Sequence, residues 1–128
     1  MNYFKNLELN INNIENIEEF IFPFEFYEID EIYYIKLITG EYLQSVFETR
    51  EDEGFEGNGY DWESLVIAFA NEYCYDKVLN EIEFDSEADM FCMFSKNKEL
   101  IEKFIIYFKY ICNNNEKILT LFNKAELN

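Results

Sequence analysis

The chain contains no histidine. That excludes Ser-His-Asp and Cys-His catalytic arrangements and any metal site built on imidazole. Proline occurs once and glycine four times, and neither GxxxxGK[ST] nor GxGxxG is present, so a phosphate-cradling loop of those kinds is excluded too. Glu56-Gly57-Asn58-Gly59-Tyr60 has glycines but lacks the preceding strand and the lysine such a cradle needs. The three cysteines, Cys74, Cys92 and Cys112, are odd in number, widely spaced and never arranged as C-x-x-C. They read as reduced, buried thiols rather than a disulfide framework or a zinc site. No apolar run approaches the roughly 20 residues that span a bilayer. Met1 to Lys5 lacks the charged-then-apolar pattern of a secretory leader, so a cytoplasmic location is expected.

Positive charge is also scarce: 10 Lys+Arg stand against 27 Asp+Glu, a formal net charge of -17. The acids concentrate in the middle. Residues 51–95 hold thirteen of them and a single base, Lys77, whereas residues 96–128 hold six lysines and four acids. Such a field repels nucleic acid and anionic lipid and steers a basic protein inward; the plainer reading is surface solubility. What the chain has in abundance is apolar and aromatic material, 49% hydrophobic and 20% aromatic. That is far too much for a disordered acidic tail and enough for one real core in 128 residues.

Residues 1–18 read as an N-terminal extension, and 19–128 as a single domain. Phe20, Phe22, Phe24 and Phe26 alternate with Ile21, Pro23, Glu25 and Tyr27, which predicts a strand over 20–27, with Pro23 at an edge or bulge. A tight turn at Ile29-Asp30 leads to a second strand, Ile32 to Thr39. Residues 41–50 fit a strand or a short helix, and 51–59 form a glycine-bearing loop. Asp61 is placed to cap a helix carrying Trp62, Leu65, Val66, Phe69 and Tyr73. Ile82-Glu83-Phe84 and Met90 to Phe94 make a second hairpin around Asp85–Asp89. A helix from Ser95 or Asn97 runs to Asn113, and a short one carries Ile118, Leu119 and Phe122. The predicted fold is α+β, a small antiparallel sheet built from two hairpins with helices packed on one face.

Few residues offer chemistry. A carboxylate pair acting as acid and base is conceivable, but so many acids place some pair close by chance. Asp85-x-Glu87-x-Asp89 resembles the start of a calcium loop, yet Met90 replaces the required glycine and Lys96 the final glutamate. These acids read better as turn formers and solvated charge. Cys92 alternates with Met93 and reads as packing, and Trp62 as core. The loop 51–59 is the more interesting surface, joining Glu51, Asp52, Glu53 and Glu56 to an aromatic, Phe55; charged rims around aromatic anchors are typical of protein interfaces.

Two stretches carry a family resemblance. Phe55 to Leu65 (FEGNGYDWESL) resembles the GNGYDWE signature of the immunity protein 51 family, and Ile82 to Cys92 (IEFDSEADMFC) resembles that family's FDPEAGMFC hairpin. The order of elements agrees, and the resemblance covers about residues 20–125, leaving 1–18 outside. Ser86 stands where the family usually has proline and Asp89 where it usually has glycine; both are tolerated in turns. The resemblance implies a non-enzymatic protein, encoded beside a polymorphic toxin, that binds and neutralises it. The expected partner is a cognate toxin domain of basic character, a nuclease being one class that fits, with no nucleic acid, membrane, metal or cofactor involved. Glu51, Asp52, Glu53, Phe55, Glu56, Tyr60, Glu63, Asp85, Glu87 and Asp89 are the expected toxin-binding residues. Gly57, Gly59, Asp61, Trp62, Met90 and Phe91 are expected to shape the motifs. Two alternatives stay open: an acidic regulator that mimics nucleic acid, and a carboxylate-dependent enzyme.

Overall fold

A computed structural model describes residues 3–5, 9–75 and 77–127. A 3-10 turn, Ile11–Asn13, precedes helix α1 (Ile17–Ile21), which leads into strands β1 (Glu25–Ile29) and β2 (Ile32–Ile38). Helix α2 (Gln44–Glu48) and a 3-10 turn (Glu51–Glu53) come before the long helix α3 (Gly59–Tyr73). Another 3-10 turn (Val78–Glu81) opens onto β3 (Glu83–Phe84) and β4 (Met90–Ser95), followed by α4 (Lys98–Cys112) and α5 (Asn115–Phe122). The strands form one antiparallel sheet in the order β1-β2-β4-β3. The two hairpins meet along β2 and β4, from Tyr33 opposite Ser95 to Ile38 opposite Met90. The fold is α+β.

Asparagine starts four of these helices. Asn16, Asn58, Asn97 and Asn114 precede α1, α3, α4 and α5, and each side-chain oxygen accepts the amide three residues on. Each such bond satisfies a donor that the first helical turn leaves without a partner. Within the sheet, side chains alternate between faces. Phe26, Tyr33, Ile35, Leu37, Phe91 and Met93 turn toward α3 and α4 and join the core cluster. Trp62 sits at its centre, its ring 5.2–6.5 Å from those of Phe24, Tyr42, Phe47, Phe91 and Phe108. Lys109 of α4 is buried as well. Its ammonium donates to the Phe20 carbonyl at 3.3 Å and to Asn113 Oδ1 at 2.8 Å, holding α1 against α4.

Several local expectations change. The alternation across Phe20–Tyr27 is not one strand. Phe20 and Ile21 lie on α1, the chain turns at the cis Phe22–Pro23 peptide, and β1 begins only at Glu25. Asn16 wins this contest, because its cap and the acids Glu18 and Glu19 in the first turn favour a short helix. Phe22 is consequently turned out to solvent while Phe24 is buried. The hairpin turn is Asp30-Glu31, one residue later than expected, with both residues at positive φ, the conformation that two-residue hairpin turns require. The ambiguous segment 41–50 contains helix α2. In the N-terminal segment, Phe4 packs into the core beside Phe104 and Tyr107; residues 1, 2 and 6–8 of that segment lie outside the described residues.

Candidate functional site

The two motif-bearing stretches meet at the start of α3. The Gly59 amide donates to the Ala88 carbonyl at 3.1 Å. A Cβ at Gly59 would overlap the carbonyl oxygens of Glu87 and Met90, so the helix can approach the β3–β4 turn this closely only through glycine. The turn closes on itself, Glu87 donating to Met90 at 2.8 Å and Met90 to Glu87 at 3.2 Å. The Ser86 hydroxyl accepts the Cys92 amide at 3.0 Å, and the Thr39 amide donates to the Asp89 carbonyl at 3.1 Å. The end of β2, the β3–β4 turn and the start of α3 thus form one joint.

Asp61 organises the other side of that joint. It is 3% exposed, and its Oδ2 accepts the amides of Glu56 at 2.7 Å, Gly57 at 2.8 Å and Asn58 at 3.4 Å. Asn58 accepts the Asp61 amide in return at 2.9 Å. The residue that caps α3 is therefore Asn58, and Asp61 completes a reciprocal capping box from inside the first turn. Gly57, at φ +81°, lets the loop fold back over this carboxylate, and Gln44 Nε2 donates to the Glu56 carbonyl at 2.9 Å.

The acidic loop before it is tied elsewhere. Arg50 donates to the carbonyls of Phe122 at 2.5 Å and Ala125 at 2.8 Å, and pairs with Glu53 at 2.9 Å. The guanidinium holds the Glu53 carboxyl below its usual range and lies 4.5 Å from the Phe55 ring centroid. Phe55 itself is 2% exposed and packs on Phe122 with centroids 4.8 Å apart. It locks the loop into the core, so it does not serve as the surface anchor expected of it.

Of the expected binding residues, Glu51, Asp52, Glu53, Glu56, Tyr60, Asp85, Glu87 and Asp89 are exposed and Glu63 partly so. The joint fastens Glu56, Tyr60 and Glu63 to Asp85, Glu87 and Asp89. Glu51–Glu53 are fastened instead, through Arg50, to the C-terminal end of α5. Trp62 and Phe91 lie in the core. Met90, expected to shape the motif, is only partly buried and shares the opposite sheet face with Ile38; its contribution to the joint is its backbone. Asn58, Gln44 and Arg50 were not among the expected residues, although Asn58-x-x-Asp61 has the spacing of a capping box. Nor were Tyr27, Tyr34 and Phe94, which form a row on the sheet face away from the helices, with centroids 5.1 and 5.3 Å apart.

The arrangement offers surface rather than reactive groups. Among the described residues no three His, Cys, Asp or Glu side chains converge as metal ligands, and no helix is long and apolar enough to cross a membrane. Burial pushes the Cys74 thiol up to about 12 and also raises Cys92 and Cys112, the reverse of what a nucleophilic cysteine needs.

No curated protein and no solved structure matches the chain. The sequence profile of immunity protein 51 matches it over residues 24–127, a span that takes in both hairpins, the joint between the motifs and every helix from α2 onward. The chain belongs to the immunity protein 51 family.

Proposed function

We propose that this protein neutralises a cognate toxin by binding it directly and covering its working surface, in the cytoplasm of the cell that makes both. Family membership supplies the immunity role and, with it, a toxin partner. The observation that carries the binding reading is the Gly59–Ala88 joint. It sets Glu56, Tyr60 and Glu63 on one side of a seam and Asp85, Glu87 and Asp89 on the other. Carboxylates held on a rigid support lose little freedom on binding, so more of the interaction appears as affinity. The net charge of -17 favours a basic toxin and speeds its approach. A nuclease fits well, because the cationic groups that grip a phosphate backbone are the ones these carboxylates would occupy. Glu51, Asp52 and Glu53 add to the field from the adjoining loop. Inhibition of this kind is stoichiometric and needs no catalytic group or cofactor.

The test is survival of cells expressing the toxin domain encoded beside this chain. The wild-type chain is expected to protect them. The combined variant Glu56→Lys, Glu63→Lys, Glu87→Lys, Asp89→Lys is expected to fold but not to protect. Full protection by that variant would remove the acidic seam from the interface, and failure of the wild-type chain to protect would remove the function.

A further inference from the structure

The core uses one face of the sheet. On the other, Tyr27, Tyr34 and Phe94 stand side by side across β1, β2 and β4, Tyr27 and Tyr34 stacked within 4° of parallel. None of the three belongs to the core cluster or packs against it. Ile29 and Ile38 on the same face are 54% and 63% exposed. The three rings are half-buried against one another rather than against the core, and aromatic rows of this kind beside exposed aliphatic side chains mark contact surfaces.

The surroundings say what would cover it. Glu25 shares the face on β1 and Glu83 on β3, with Asp85 beside Cys92 and Glu81 at its edge, against two bases, Lys36 and Lys96. Beyond Phe94 the face opens into a hollow of about 370 Å³, lined by Ile32, Glu81, Glu83, Phe94 and Lys96 among others. At the opposite end, Met90 and Ile38 adjoin the Gly59–Ala88 joint. A second copy of a chain carrying -17 is a poor occupant, since it would bring two surfaces of the same net sign together. A basic protein surface suits both the borders and the rings, because arginine and lysine stack on tyrosine and pair with the adjoining carboxylates.

Resting on the immunity reading above, we infer that this aromatic sheet face is the central contact for the toxin, taking a basic, arginine- or lysine-bearing surface across Tyr27, Tyr34 and Phe94, with a cationic side chain entering the hollow beside Phe94. Size agrees with a division of labour. β1, β2 and β4 have five, seven and six residues, so the three strands cover at most about 23 by 14 Å. That is less than half of the roughly 800 Å² each partner buries in a stable complex. The acidic seam at the Met90 end supplies the remainder as a polar rim around an aromatic centre.

The experiment titrates the full-length chain into the purified, catalytically inactivated toxin domain encoded beside it. The variants are Tyr34→Thr with Phe94→Thr, which keeps β-branched residues in the strands, and separately Tyr27→Thr at the sheet edge. Melting followed by circular dichroism confirms folding. The double variant is expected to bind at least about 30-fold more weakly, the loss typical of a central aromatic pair, and Tyr27→Thr more weakly than wild type. Wild-type affinity in folded variants would overturn this inference and leave the immunity reading standing, whereas no binding by the wild-type chain would overturn both. Concentration-dependent dimerisation that the double variant abolishes would assign the face to a second copy and also overturn the inference.

Discussion

Gly59 and Ala88 are linked by a single backbone hydrogen bond of 3.1 Å, and through it the loop that starts α3 and the turn of the second hairpin become one structural unit. The close approach explains why a glycine, a poor helix former, opens α3. Alanine is the better helix former by about 1 kcal/mol. Here its methyl would overlap two carbonyl oxygens.

Gly59→Ala should therefore destabilise the protein despite the gain in propensity. Overpacking against backbone costs about 1–3 kcal/mol, and the β3–β4 turn must shift to accept the methyl. Urea unfolding of wild type and variant measures the difference. Equal midpoints would mean that the turn yields freely and the joint is not rigid.

Asp61→Ala removes the acceptor of three loop amides and half of a capping box. Charge-assisted bonds to backbone donors and a helix cap together justify a loss of roughly 2–4 kcal/mol. Hydrogen exchange should show the amides of Glu56 and Gly57 losing protection first. Unchanged exchange there would contradict the assignment.

Arg50→Lys keeps the charge but loses the planar fork that serves the carbonyls of Phe122 and Ala125 and the Glu53 carboxylate together. The expected cost is about 1–3 kcal/mol, with residues 122–127 exchanging faster than in wild type. A lysine variant of wild-type stability would show that stacking on Phe55, rather than the fork, holds this end.

The folded protein keeps the Cys74 thiol protonated up to about 12, against 9.0 for an ordinary thiol. Between those values the folded state binds more protons than the unfolded state, so stability is complete below about pH 9 and falls as pH rises toward 12. Cys74→Ala should flatten that decline when urea midpoints are compared from neutral to alkaline pH. Parallel curves for the two proteins would rule Cys74 out as a source of the alkaline instability.

Much of the fold was legible because periodicity reports burial: β2, the second hairpin, α3 and α4 all follow their apolar spacing. It failed where two elements abut. Phe20 to Phe26 alternate in sequence, but Asn16 starts a helix whose last turns use the first of those residues, so the period of two spans a boundary rather than a strand. The site was half legible. Acid density marks Glu56, Glu63, Glu87 and Asp89, and the glycines mark the joint. Phe55 looked like an exposed anchor because burial of a loop aromatic depends on distant partners, Arg50 and Phe122. The row Tyr27, Tyr34 and Phe94 was hidden for the opposite reason. Met90 to Phe94 reads as one apolar run, which conceals that alternate members face away from the core.

The central claim is that the chain binds a basic toxin directly through an acidic surface. Calorimetric titration of the full-length chain with its inactivated cognate toxin domain, at low salt and at about 0.5 M salt, tests this most directly. The account predicts an equimolar complex at low salt whose affinity falls at least about tenfold at the higher concentration. Absence of a complex, or a complex indifferent to salt, would contradict it.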